Sequence, residues 1–95
     1  MTAYLIGDIT VTEPRGYEEY RQAAPETVLQ YGGRYLTKAG TVQPAEGGWT
    51  PDRFVILEFP TMHDLTAWWE SPEYRPLRAL RERCAESRIV FTEGM

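Results

Sequence analysis

An α+β fold of ferredoxin-like type, βαββαβ, with an antiparallel sheet and its helices on one face, is what this sequence predicts. Three observations carry the prediction. Two apolar strand patterns, residues 3–11 and 53–59, each hold one acid near the end, Asp8 and Glu58. Each is followed at once by a helix start signal. A further strand pattern comes after each helical region, at 34–39 and 88–93. Right-handed crossover of each strand–helix–strand unit then gives an antiparallel sheet with helices on one side. The other face would be bare and half apolar, so two such sheets packing face to face would close a barrel.

In the first strand Leu5, Gly7, Ile9 and Val11 alternate with Tyr4, Ile6, Asp8 and Thr10. Period-two alternation marks a strand with unequal faces; the first set should meet helices and the second forms a mixed face. Thr12-Glu13-Pro14 starts a helix, because proline near the first helical position lacks only an N–H that would be unpaired anyway. Tyr17, Tyr20, Ala24, Val28 and Tyr31 recur at helical spacing as its buried stripe. Pro25 falls inside this stripe and should kink or restart the helix. Gly32-Gly33 ends it, glycine accepting the left-handed conformation common after a helix C-terminus.

After the strand at 34–39, residues 40–52 form a long turn-rich connection to the strand at 53–59. Thr61-Met62-His63-Asp64 reads as a capping box with Asp64 in place of the usual Glu or Gln. Leu65, Trp68 and Trp69 supply the apolar side of that helix, Ser71-Pro72 breaks it, and Pro76 suits the first turn of a third. Leu77, Leu80 and Cys84 are its expected buried set. Arg78 and Arg81 are expected to face solvent, since Arg75, Arg78, Arg81 and Arg83 mix with Glu73, Glu82 and Glu86 as a solvated helix face does. The last strand sets Ile89 and Phe91 opposite Val90 and Thr92.

The 95 residues fit one domain, 1–95, with no internal repeat, low-complexity run or linker. With 42% hydrophobic and 13% aromatic residues, the chain carries more apolar material than one small core needs, and a homodimer is the simplest second buried surface. A net charge of −4 without clustered Lys and Arg argues against nucleic acid. No run reaches the ~18 apolar residues of a membrane span, and the first residues do not read as a signal peptide. The single cysteine, Cys84, cannot form an intramolecular disulfide, which fits a cytoplasmic location.

Ile9-Thr10-Val11 leading to Tyr17-Glu18-Glu19-Tyr20, then Tyr31-Gly32-Gly33-Arg34-Tyr35, resembles the family called domain of unknown function 1330. So do Val55-Ile56-Leu57-Glu58-Phe59-Pro60 and Trp69-Glu70-Ser71-Pro72-Glu73-Tyr74. The resemblance covers essentially the whole chain. It implies a dimeric α+β barrel, in the superfamily that also holds cofactor-free monooxygenases, haem-degrading enzymes and small isomerases, and it implies no particular activity. Cofactor-free monooxygenases of that superfamily typically pair an Asn with a Trp. This chain has Trp68 and Trp69 but no asparagine, and the amide partner is missing unless Gln30 or Gln43 substitutes, so that chemistry is not expected.

Asp8 and Glu58 are the candidate catalytic pair. With the first and third strands taken as a parallel central pair, the two acids fall near the same end of adjacent strands, on the mixed face. Carboxylates ~5 Å apart repel by ~3 kcal/mol at an effective dielectric of about 20, an arrangement that suits an acid–base pair. Arg34 and Arg88 begin the flanking strands at that end and could instead tie the acids into structural ion bridges. Arg34 is also the candidate for holding an anionic or carbonyl group, and Trp69, Tyr74 and Tyr20 are candidate pocket walls, aromatics offering large apolar area with a polar handle. His63, the sole histidine, is a further candidate contact, although a polar first helical turn favours an exposed side chain. Trp49 in the long loop is expected at an interface. Cys84 is expected to act as a small buried hydrophobe. No metal set is visible: one His and one distant Cys lack ligand spacing.

The expected function is binding, with turnover as an extension, of a small organic molecule by acid–base chemistry without a cofactor. The alternatives are an accessory dimerisation module without a ligand and, third, a haem-degrading role.

Overall fold

The computed structural model describes residues 1–95. Its elements are β1 (Ala3–Val11), α1 (Pro14–Gln30), β2 (Arg34–Lys38), β3 (Arg53–Phe59), α2 (Met62–Trp69), α3 (Arg75–Cys84) and β4 (Ala85–Glu93). They build one sheet in the order β2-β3-β1-β4, antiparallel throughout. The expected α+β, ferredoxin-like arrangement is therefore present.

One expectation is corrected by the register. β1 and β3 are adjacent but antiparallel, with Tyr4 opposite Glu58 and Asp8 opposite Phe54. The reason is topological. Crossover through α1 returns β2 parallel to β1, and β3 is antiparallel to its neighbour β2, so β3 inserted between them runs against both. Asp8 and Glu58 thus stand four pleats apart, about 13 Å along the strand at ~3.3 Å per residue.

Helix α1 begins where the Glu13 carboxylate accepts hydrogen bonds from the Arg15 N–H (3.2 Å) and the Gly16 N–H (2.7 Å). It runs on as one helix through Pro25, and Ala24 and Val28 on either side are fully packed. One lost backbone bond does not break a helix whose apolar stripe is seated on the sheet. Gly32 takes a φ of 81°, and the N–H groups of Gly32 and Gly33 close onto Leu29 O and Val28 O at 3.1 and 3.0 Å, the paired closure of a Schellman end. In α2, Thr61 Oγ1 accepts from the Asp64 N–H at 3.1 Å. The return contact is the Thr61 hydroxyl donating to Asp64 Oδ2 (3.0 Å), because the aspartate is one methylene shorter than the usual glutamate.

The core lies between the sheet and the helices. Ala3, Leu5 and Ile9 of β1 and Val55, Leu57 and Phe59 of β3 point toward Tyr17, Ala24, Val28, Leu65 and Trp68. Trp68 stacks on Tyr74 at 4.0 Å between ring centres and lies 5.4 Å from the Phe59 ring. Its indole N–H donates to Thr27 Oγ1 (3.0 Å), whose hydroxyl donates to Ala24 O (2.7 Å). This chain satisfies the polar atoms that a helix interior would otherwise bury unpaired. Gly16 lets α1 descend onto α3, since a Cβ there would collide with Cys84 Sγ.

Arg81 departs from its expected solvent position. Arg81 is only 3% exposed and points inward from α3, whereas Leu77 and Leu80 are only half-buried. The helix is strongly amphipathic by spacing, but its inner face meets the hydroxyls of Tyr20 and Tyr74, not a purely apolar wall. β4 also begins at Ala85, three residues earlier than expected, joined to α3 without a loop.

Candidate functional site

Between the sheet and the helices is a cavity of about 40 Å³, room for two or three waters at ~10–15 Å³ each. Leu5, Ile9, Val55, Leu57 and Ile89 form its sheet wall, and Tyr17, Ala24 and Trp68 part of its helix wall. The polar atoms facing it are few. Tyr20 Oη and Tyr74 Oη form a 2.7 Å hydrogen bond. Arg81, beside both hydroxyls, donates from Nη1 to Ser87 Oγ at 2.7 Å. Tyr35 of β2, Arg53 at the start of β3, Lys38 and Arg21 complete the lining.

Local structure explains how two of these residues arrive. Between Tyr35 and Thr37 the β2–β3 register shifts by one, so Tyr35 is paired with Leu57 and Lys38 with Val55. An extra residue in one strand re-aims the side chains beyond it; here it turns both Tyr35 and Lys38 to the helix side. The Lys38 ammonium then lies 4.9 Å from the centre of the Tyr35 ring. Arg53 sits over the Tyr17 ring at 5.2 Å. The Nε atoms of Arg53 and Arg81 are both buried and meet no acceptor in the chain.

The electrostatics favour donors. Burial, reinforced by the neighbouring Tyr74, raises the Tyr20 hydroxyl well above an ordinary tyrosine. Burial likewise raises Tyr35. Both remain neutral O–H groups across the physiological range. Burial works against the charge of Arg81, but the Tyr74 and Tyr20 oxygens outweigh it and hold the guanidinium ionised. Phenol hydroxyls and a guanidinium converging in an apolar enclosure can stabilise negative charge on a ligand oxygen, because a low-dielectric site strengthens such contacts.

The opposite face of the sheet carries the two acids. Asp8 accepts hydrogen bonds from the Trp49 indole N–H (3.2 Å) and the Asp52 N–H (2.9 Å), tying down the loop of residues 40–52. Its cross-strand neighbour Arg88 lies at 4.0 Å. Glu58 accepts from Arg34 Nε at 2.8 Å across the β2–β3 pair. Each acid has an arginine directly opposite on the neighbouring strand.

Tyr20 and Tyr74 thus meet in the cavity. Trp69 stands at its outer edge, 5.9 Å from Tyr74 and 5.2 Å from Phe91, with Arg78 stacked on it at 4.3 Å. Asp8, Glu58 and Arg34 lie across the sheet, and His63 is exposed in the first turn of α2, outside the cavity lining. Arg81, Arg53 and Tyr35 line the cavity although sequence reasoning gives them no site role. Strand parity is the signal that could find Arg53 and Tyr35, since each shares a face with Val55 or Leu57. For Arg81 the signal is helical spacing, since it shares a face with Leu77, Leu80 and Cys84.

The fold is of the α+β, ferredoxin-like class. The chain belongs to the family of domain of unknown function 1330, whose model matches residues 2–95. Its structure is similar to a protein of unknown function from Rhodopseudomonas palustris, RPA0582, at 14% identity and a TM-score of 0.75, covering 99% of this chain and 82% of that one. It is also similar to SnoaB, a cofactor-independent oxygenase from Streptomyces nogalater, at 9% identity and a TM-score of 0.68, covering 99% and 93%. A protein from Nitrosomonas europaea, provisionally named an antibiotic biosynthesis monooxygenase, matches at 19% identity and a TM-score of 0.61, covering 100% and 99%. At these identities the likeness establishes the fold. No curated protein matches the sequence significantly.

Proposed function

We propose that this protein binds a small, largely apolar organic molecule in the cavity between sheet and helices. The observation that carries the reading is the convergence of the Tyr20–Tyr74 hydroxyl pair and the buried Arg81 guanidinium on one apolar enclosure. Enclosed apolar walls with a few convergent polar groups are the usual character of a small-molecule site. Its polar groups are donors, so any turnover here would proceed by stabilising negative charge on a substrate oxygen, with Tyr20 as the hydroxyl donor. Asp8 and Glu58 are better suited to the ion-bridge role, since each faces an arginine on the far side of the sheet.

The second reading, a dimerisation module, is favoured by the open face. Val90, Trp49 and Leu36 are 60%, 51% and 46% exposed there, beside the half-buried Ile6, Phe54 and Ile56. An apolar sheet face of this kind is a candidate for pairing with a second copy, and a homodimer is the proposed assembly. The two readings use different faces and are compatible. No helix is long and apolar enough to cross a membrane; the proposed setting is the cytoplasm, where the thiol of Cys84 stays reduced.

The test is a fragment screen by ligand-observed NMR on wild-type protein and on Ala24→Leu and Ile89→Phe, which fill the cavity from opposite walls. Fragments that bind wild type and are lost from a folded filled variant support the reading. Fragments that bind all three equally, or none at all, would sink it.

A further inference from the structure

We infer that the ligand of this cavity is a small organic monoanion, a carboxylate on an apolar body; this rests on the proposal that the cavity is the binding site. The charges around it are one-sided. Arg21, Lys38, Arg53 and Arg81 line it and no Asp or Glu does, in a chain whose net charge is −4. Composition therefore favours acids, and the cavity runs against composition.

The four cations are not equivalent. Arg21 is already matched by Glu18 at 2.6 Å on the surface of α1. Lys38 rests on Tyr35 at the rim. Arg53 and Arg81 take no part in the ion pairs of the fold, which use Arg21, Arg34, Arg78 and Arg88. Both also keep a buried Nε without an acceptor. Arg81 is a buried cation outside every ion pair, which is costly, and an anion in the cavity would remove that cost. Guanidinium presents parallel N–H donors that match the two oxygens of a carboxylate.

The wall decides the rest of the ligand. Beyond the hydroxyls and cations the wall is Leu5, Ile9, Val55, Leu57, Trp68 and Ile89, which suits an anion carrying a carbon skeleton better than a bare phosphate or sulfate. A single carboxylate at the arginines, with its carbon skeleton against the sheet, satisfies both halves. At about 40 Å³ the enclosure admits only a few atoms, so a short-chained acid such as propionate should bind more tightly than a ring-bearing one such as benzoate.

The experiment is calorimetric titration of the wild-type protein with two matched pairs, benzoate with benzamide and propionate with propionamide. The same titrations are run on Arg53→Met and Arg81→Met. The expected result is that an acid binds at least about tenfold more tightly than its amide, equivalent to about 1.4 kcal/mol. Each substitution should erase that preference while leaving amide binding in place. Should Arg81→Met fail to fold, the acid-to-amide ratio of wild type and of Arg53→Met still decides. Amides binding as well as acids would overturn the monoanion inference and leave the cavity reading standing. Acid binding untouched in both variants would likewise overturn it, by moving the acid elsewhere on the surface. No binding by any of the four compounds would count against the cavity reading and this inference together.

Discussion

The two faces of the sheet are built from the same strands and hold opposite chemistry. On the helix side, Arg53, Val55 and Leu57 of β3 lie with Leu5 and Ile9 of β1 around a cavity whose polar groups are hydroxyls and guanidinium groups. One residue along each strand, the open side carries Asp8 and Glu58, each facing an arginine on the next strand. Strand parity sorts charge here as well as hydrophobicity. Arg53 and Arg81, outside the ion pairs, lie on the helix side, and acids with partners collect where a second sheet could be laid. Binding and assembly should therefore be separable by mutation.

Trp68→Ala tests the helix side most severely. It removes a fully buried ring packed against Tyr74 and Phe59, and chemical denaturation should show a loss of about 3–5 kcal/mol. Ile56→Lys tests the open side, placing a charge at the centre of the face proposed for dimerisation. Light scattering at micromolar concentration should find monomer, with circular dichroism unchanged; a persistent dimer would move the interface elsewhere. Asp8→Ala removes the acceptor for Trp49 Nε1 and Asp52 N. Hydrogen bonds to a charged group are worth about 1.5–3 kcal/mol, so hydrogen exchange and proteolysis within 40–52 should rise, while binding in the cavity stays as in wild type.

Tyr20 sharpens the comparison through pH. Its hydroxyl is raised above the ordinary tyrosine value of 10.0 by burial, so the folded state holds that proton longer than the unfolded chain does. Its stabilising effect is complete below pH 10 and falls as pH rises toward the folded value, by about 1.4 kcal/mol per pH unit. Urea midpoints measured from pH 9 to pH 11 should decline less steeply in Tyr20→Phe than in wild type. Arg34→Ala should produce the smallest change. Its partner Glu58 is mostly covered, but Arg34 itself is 68% exposed, and such surface pairs contribute about 0.2–1 kcal/mol.

Much of the fold is legible in the sequence because it rests on local signals. The alternation of Leu5, Ile9, Val55 and Leu57, the proline at the start of α1, the glycine pair at its end and the capping threonine of α2 each specify an element within a few residues of themselves. Half of the candidate site is legible too. Tyr20 and Tyr74 are recognisable as aromatics with a polar handle, and they meet at 2.7 Å. The pairing of each acid with an arginine is also within reach, since Arg34 and Arg88 fall in the strands expected to flank the acids. The direction of β3 relative to β1 is not, and with it goes the expected closeness of Asp8 and Glu58, because both depend on where β3 enters the sheet.

Sequence by itself determined which residues share a face, because side chains alternate along a strand and recur by turns along a helix whatever lies beyond. It could not decide which faces meet, or what a long side chain does when they do. Arg81 has the charge of a solvent residue but the helical spacing of Leu77 and Cys84, four residues after the one and three before the other. It is accommodated on that inner face because α3 packs beside α1 and brings Tyr20, Tyr74 and Ser87 within reach of its guanidinium. Tyr20 belongs to α1, Tyr74 immediately precedes α3, and Ser87 lies in β4 beyond a change of chain direction. Their convergence is a property of packing in three dimensions, which no local pattern encodes.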